Sequence, residues 1–303
     1  MANSDQYITT SSGKFGALMV AAGATLISFS GVYVKLAHVS PTMAGFYRTF
    51  FGGIILLVIV WAGGGLLWQG FAHFFMGVLC GFLLTLDLFF WHISIHFIGP
   101  GLATILGNFQ VFLLALFGVL VLKEKPTINL LLAIPLAMLG LYFLAGIQWG
   151  EFGQNYKVGL VLGLATALCY AAYLLVLRRL QTSGDYLSAA ANLAIVCFVT
   201  AAFLGTTAML QGDSFEIPDM QSLLSLSGYG LFSQVIGWVL ITKGLPRIKS
   251  SLTGLLLLLQ PALAFVWDML FFDRKTSIVG GIGAVITLAA IYLGAMSRSG
   301  NKG

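Results

Sequence analysis

Only 8% of the 303 residues carry a charge, where an average soluble domain carries roughly 25%. Ten acidic and fifteen basic side chains cannot cover a water-exposed surface when 59% of the chain is hydrophobic and mean hydropathy is +0.97. A soluble globular fold is excluded, and the chain reads as an all-α integral membrane protein whose first partner is the lipid bilayer.

Other absences narrow the function. No GxxxxGK[ST] run occurs, because the Gly-Lys at 13–14 is followed by Phe15; no ATP drives the chain directly. The Lys and Arg residues sit singly or in pairs at the ends of apolar runs, with no basic stripe. That placement argues against nucleic acid and is the topology signal of a multi-pass membrane protein. The three cysteines, Cys80, Cys169 and Cys197, all fall in apolar segments and read as small packing residues. No Ser/His/Asp cluster lies outside the apolar runs, so no enzyme, cofactor or metal is expected. His92 and His96 are one helical turn apart, but the Glu of a hydrolytic zinc motif and a third ligand are missing. Residues 1–13 contain no apolar core of signal-peptide type. The first run, from Phe15, is long enough to span and is read as a membrane helix.

What the chain does have is apolar length. A span takes about 20 apolar residues, or 17 to 25 with tilt. Ten segments qualify: 14–36, 42–62, 71–94, 99–122, 128–146, 157–179, 187–210, 221–243, 250–272 and 276–296. The longest connection is the acidic stretch 211–219, so any site must lie among the helices. Residues 101–146 comprise an apolar helix, a charged break (Lys123, Glu124, Lys125, Pro126, Thr127) and a second apolar helix. The same order returns at 251–295, broken at Asp273, Arg274 and Lys275. Gln110 and Gln260 hold matching places, as do Thr127 and Thr276. A repeat of this period divides the chain into halves, 1–150 and 151–303.

With the N-terminus inside, ten Lys and Arg fall at cytoplasmic ends (Lys14, Lys123, Lys125, Arg178, Arg179, Lys243, Arg247, Lys249, Arg298, Lys302) against four outside (Lys35, Lys157, Arg274, Lys275). The count favours N-in and C-in. Five helices per half is an odd number, so the second half starts on the opposite side and the repeats have inverted topology. Secondary transporters use that arrangement to hold substrate near the midplane between the halves.

Several residues carry a family resemblance: Pro41, Ala44 and Arg48 early in the second helix, the Leu-rich fourth and ninth helices, Gln260-Pro261, and the two charged breaks. On these the chain resembles the drug/metabolite transporter superfamily in its ten-helix EamA form, and most resembles the YddG type of amino-acid exporter. The resemblance implies a carrier in the bacterial cytoplasmic (inner) membrane that exports aromatic and other neutral amino acids by alternating access; a single chain is compatible with this. The alternative is a multidrug or organic-cation exporter of the same superfamily. In one departure, Asn108-Phe109-Gln110-Val111 stands where the family's fourth helix carries a Pro. Pro261 keeps the kink position of the ninth helix, so kinking is expected to be asymmetric.

Polar groups inside spans are costly and often functional, though many only tie helices together. Gln110, Gln234 and Gln260 sit near mid-span. An amide with donors and an acceptor suits a zwitterion; interhelical bonding is the other reading. Asn108 and Gln110 point to nearly opposite faces at about 100° per residue, and Gln110 is chosen because Gln260 echoes it. Thr25, Ser28 and Lys35 form one polar stripe on the first helix, Ser28 being the substrate candidate. Tyr170 and Tyr173 are candidates for stacking on a substrate ring, and Trp91 for the outer mouth. Trp267 is a candidate for the same mouth, and all six tryptophans, Trp61, Trp68, Trp91, Trp149, Trp238 and Trp267, fit an aromatic belt. Arg48 and Asp87, the deepest charges, lie roughly 9 and 12 Å below their helix ends and are expected to pair, as a structural or gating contact. His92 is a candidate proton carrier, with packing as the alternative.

Overall fold

The computed structural model describes residues 10–65, 70–145, 156–182, 189–272 and 277–296. Trp68, Trp149, the second charged break at 273–276, Arg298 and Lys302 lie outside the described residues. The first half contains α1 (Thr10–Ser28), α2 (Ser30–Leu36), α3 (Pro41–Ala62), α4 (Phe71–Gly107), α5 (Gln110–Leu120) and α6 (Ile128–Ala145). The second contains α7 (Tyr156–Thr182), α8 (Ala189–Gln211), α9 (Met220–Gly228), a π-helical segment (Tyr229–Gly237), α10 (Trp238–Gly244), α11 (Ser250–Leu257), α12 (Leu259–Phe272) and α13 (Ile278–Met296).

Eight helical stretches among the described residues are long and apolar enough to cross a membrane, so the chain is a multi-pass membrane protein. The apolar cores of the fifth and tenth expected spans, Ile128–Phe143 and Ile278–Gly294, are shorter. Their parent helices α6 and α13 run 18 and 19 residues, which at 1.5 Å per residue is about 27–29 Å, at the lower edge of a hydrocarbon core.

α4 is one helix in its hydrogen bonding but not in its path. Sixteen residues of straight helix, from Trp91 to Gly107, would cover about 24 Å, yet a Cβ on Gly107 would sit 4.0 Å from the Trp91 ring. The chain therefore doubles back, giving the separate spans Phe71–Ile98 and Leu102–Leu120.

The packing partners come in exchanged pairs. α1 lies against α10 and the π segment, while α7, its counterpart in the second half, lies against α4, the counterpart of those elements in the first. α3 packs on α8, α5 on α11, and α6 on α13, each joining equivalent membrane spans of the two halves. This is the contact pattern of inverted repeats. Where α1 crosses the π segment the backbones nearly touch: a Cβ on Gly23 would lie 2.5 Å from the Gly237 carbonyl oxygen. Close approach of small residues is how helices associate without a hydrophobic driving force.

Kinking departs from expectation. Both counterpart helices break, at Asn108–Phe109 between α4 and α5 and at Leu258 between α11 and α12. In the second half Pro261 has no N–H to offer the Leu257 carbonyl, and the helix opens just upstream of it. In the first half the Asn108 side chain supplies the disruption, its amide donating to the Thr104 carbonyl at 2.8 Å. The following N–H groups of Phe109, Val111 and Phe112 bond three residues back rather than four. A short polar side chain competing for the backbone opens the turn as a proline does.

One end of the bundle is closed by loops. Ser40 caps α3, accepting the Met43 N–H at 3.2 Å, and Asp219 caps α9, accepting the Ser222 N–H at 2.7 Å. The Ser222 N–H, and next the His38 ring 2.6 Å away, hold the Asp219 carboxyl below the usual carboxylate range.

Candidate functional site

The mid-span polar residues come together from both halves. Arg48 reaches across from α3 to the π segment. Its Nε donates to Gln234 Oε1 at 2.7 Å and its Nη1 to the Tyr229 hydroxyl at 3.1 Å, with the guanidinium 4.9 Å from the Tyr229 ring centre. Tyr229 and Gln234 are five residues apart. On an α-helix that spacing points them about 140° apart at about 100° per residue; the i→i+5 bonding of a π segment brings them into register. The wide turn thus puts both acceptors on Arg48. Gln234 is fully buried and also donates to Cys197 Sγ at 3.1 Å.

The Arg48–Asp87 contact pair expected from equal depth is not formed. Three ion pairs within 4.0 Å occur among the described residues, and none includes either residue. Asp87 lies instead against α7, its backbone carbonyl accepting the Thr166 hydroxyl at 3.5 Å. Asp87 lies three and seven residues after buried Leu84 and Cys80, so it shares their inward face at helical spacing. Tyr170 of α7 stacks on Tyr173, ring centres 6.1 Å apart and planes 13° apart. α3, α4, α7, α8, the π segment and α10 thus meet in one polar zone between the halves.

Several buried polar side-chain atoms among the described residues have no partner, among them both amide atoms of Gln110, the Tyr173 hydroxyl, Trp238 Nε1 and Gln260 Nε2. Tyr173 packs edge-on against Trp238 at 5.1 Å. An unmet polar atom inside a bilayer is costly, and a polar guest can complete it. Gln110 itself is fully buried on α5; Asn108 is half-buried and spends its amide on Thr104.

Two further contacts close the ends of the bundle. At one end Glu124, its side chain 8% exposed, accepts the backbone N–H groups of Ser250 and Ser251 at 2.7 and 3.4 Å and the Ser251 hydroxyl at 3.0 Å. It thereby caps α11 from the first half. Arg178 lies 3.9 Å from Glu124 and donates to Ser250 Oγ at 2.5 Å. At the opposite end Lys35 pairs with Asp268 at 2.7 Å and sits over the Phe272 ring at 4.6 Å. Just beneath, Ser28 Oγ accepts Trp267 Nε1 at 2.7 Å, and Phe29 stacks on Trp267 at 4.3 Å. Beyond Lys35 lies a loop pocket of about 320 Å³, lined by His38, Ser40, Asp213 and Glu216 among others.

Of the sequence candidates, Arg48, Gln234, Tyr170 and Tyr173 gather in the polar zone with Asp87 against α7, Gln110 on α5 and Gln260 on α12 keep unpartnered amide atoms, and Ser28 lies toward the Lys35 end. Trp91 and His92 pack against each other, 5.2 Å between ring centres, in the α4 hairpin. Among the described residues no His, Cys, Asp and Glu group could hold a metal ion. Sequence reasoning passed over Tyr229, Arg178 and Trp238. Tyr229 carries no local signal, Arg178 was counted only for topology, and Trp238 fitted the belt. Glu124 was visible in the charged break, but its partners lie 126 residues away.

The sequence profile of the EamA-like transporter family matches residues 14–146 and again 157–296, one match per half. A solved structure described only as the crystal structure of a protein superposes with a TM-score of 0.78 at 19% identity. The match covers 94% of this chain and 96% of that one, and it bears on the fold alone. No curated protein matches.

Proposed function

The chain belongs to the EamA-like transporter family, and on that premise we propose that it exports amino acids, aromatic and other neutral ones, by alternating access. The reading places ten membrane helices in two repeats, 1–150 and 151–303, with both termini inside a bacterial cytoplasmic membrane, and places the chain among the YddG-type exporters. Substrate binds near the midplane between the halves. The observation that carries it is the polar zone: Gln234 is held by Arg48 across the halves, the stacked pair Tyr170 and Tyr173 packs on Trp238 of the same span, and Tyr173 and Trp238 keep polar atoms with no partner of their own. Amides and hydroxyls suit a small polar solute with both donor and acceptor groups, and the aromatic rings suit a ring-bearing side chain.

Counterflow in proteoliposomes tests it. Vesicles preloaded with unlabelled Phe or Trp are expected to accumulate the labelled amino acid transiently, without a pH gradient. One observation favours a second reading: the Asp87 side chain is an intramembrane carboxyl with no hydrogen bond or ion pair among the described residues, which suits an organic cation. Uptake of such a cation under an imposed pH gradient, with no amino-acid counterflow, would replace the first reading with the second.

A further inference from the structure

We infer that Lys35–Asp268 and Arg178–Glu124 are counterpart latches, related by the inverted repeat, each holding one end of the carrier shut. The inference rests on the alternating-access reading above and gives each end a contact that opening must break. It begins with where the four residues fall in the repeat. The two family matches open at residues 14 and 157, 143 residues apart, and the same step from Lys35 lands on Arg178. Gln110 and Gln260 are 150 apart, as are the ends of the matches at 146 and 296, and that step back from Asp268 lands on Gly118.

Gly118 has no side chain to set against Arg178, and Glu124 supplies one. Lys123 takes a left-handed φ of 53°, and the Glu124 N–H bonds back to the Gly118 carbonyl at 2.8 Å. The Glu124 carboxylate then lies over Gly118, where an added Cβ would be 2.5 Å from its Oε2. A carboxylate therefore stands at the counterpart of Asp268 and faces the counterpart of Lys35. The helices match as well: α12 lies against α1 and α2, and α5 lies against α7. Each latch thus ties the first span of one half to the fourth span of the other. Exchanging the conformations of the halves, as inverted repeats do in alternating access, turns one latch into the other. Both are formed in this structure, at 2.7 Å in the Lys35 pair and 3.9 Å in the Arg178 pair. They differ in strength. Lys35 is 46% exposed, and a pair with solvent at hand parts at low cost. Arg178 and Glu124 are 22% and 8% exposed, and Arg178 also donates to Ser250 Oγ, so the Glu124 end is the more firmly held.

The test reads maleimide labelling without substrate, at Ser28→Cys for the Lys35 end and Ser251→Cys for the Glu124 end. Both reporters are placed in chains whose Cys80, Cys169 and Cys197 are replaced by Ala. Lys35→Gln is expected to raise the Ser28→Cys rate about threefold and to lower the Ser251→Cys rate. Arg178→Gln is expected to do the reverse by about tenfold, its bonds being charge-assisted. Because the two losses oppose each other, the double variant is expected to bring the ratio of rates back toward the wild type. Reversing the outer charges, Lys35→Asp with Asp268→Lys, is expected to restore the wild-type ratio; failure to do so overturns the ion pair as the latch. Wild-type rates in both single variants overturn the assignment and leave alternating access standing. Single variants in which both rates rise together overturn alternating access too. Should Arg178→Gln fail to fold, Ser250→Ala removes the hydroxyl that Arg178 holds and is expected to shift the ratio the same way; no shift overturns the latch at the Glu124 end.

Discussion

Gly140→Val is expected to abolish most of the yield of folded protein. A Cβ at position 140 would lie 2.7 Å from both the Gly283 carbonyl oxygen and the Thr287 N–H nitrogen, and would collide with the Thr287 hydroxyl. Two of the three obstacles are backbone, so no rotamer change relieves them, and α6 and α13 must move apart along their whole contact. Overpacking a core costs typically 1–3 kcal/mol. A clash with backbone at a crossing is expected to exceed that, because in lipid the contact itself is the driving force. Even Gly140→Ala is expected to lower the melting temperature followed by size-exclusion chromatography. A valine variant as monodisperse and heat-resistant as the wild type would show that the two helices do not meet here.

Glu124→Ala is the second large effect. The carboxylate caps α11 through two backbone N–H groups and the Ser251 hydroxyl, and also faces Arg178. Hydrogen bonds to a charged group contribute about 1.5–3 kcal/mol each in a buried setting. Several share one carboxylate and water re-enters the gap in the variant, so a net loss of about 3 kcal/mol is expected. Glu124→Gln keeps the shape and loses the charge, and should fall between. The contact joins the two halves at one end only, so the alanine variant should also loosen that end. Melting curves of the three proteins check the order; an alanine variant that melts with the wild type would reduce the contact to surface decoration.

How much of this was legible beforehand depends on the distance between the residues concerned. The apolar runs and the repeat of Gln110 at Gln260 are written at short range, and they suffice for helices, halves and inversion. The α4 hairpin follows from length, since no membrane span runs 37 residues. Kinking was misjudged because the reading looked for proline alone, whereas Asn108 opens its turn through a side-chain bond to Thr104. The pairing of Arg48 with Asp87 was inferred from depth. Depth along a helix does not fix azimuth, and the nearest acceptors for Arg48 were neutral groups brought together by a π segment that no periodicity announces. Glu124 with Ser250, and Lys35 with Asp268 across 233 residues, are contacts of the assembled bundle, where sequence separation carries no information.

The central claim is that the two ends of the bundle open alternately onto the polar zone. Cysteine accessibility tests it most directly. Ser28→Cys lies beneath the Lys35–Asp268 pair and Ser251→Cys beneath Glu124, each to be made where Cys80, Cys169 and Cys197 are replaced by Ala. Adding saturating Phe to the purified carrier in lipid nanodiscs is expected to change the two maleimide labelling rates in opposite directions. Rates that rise or fall together, or that ignore Phe at both positions, would contradict the account.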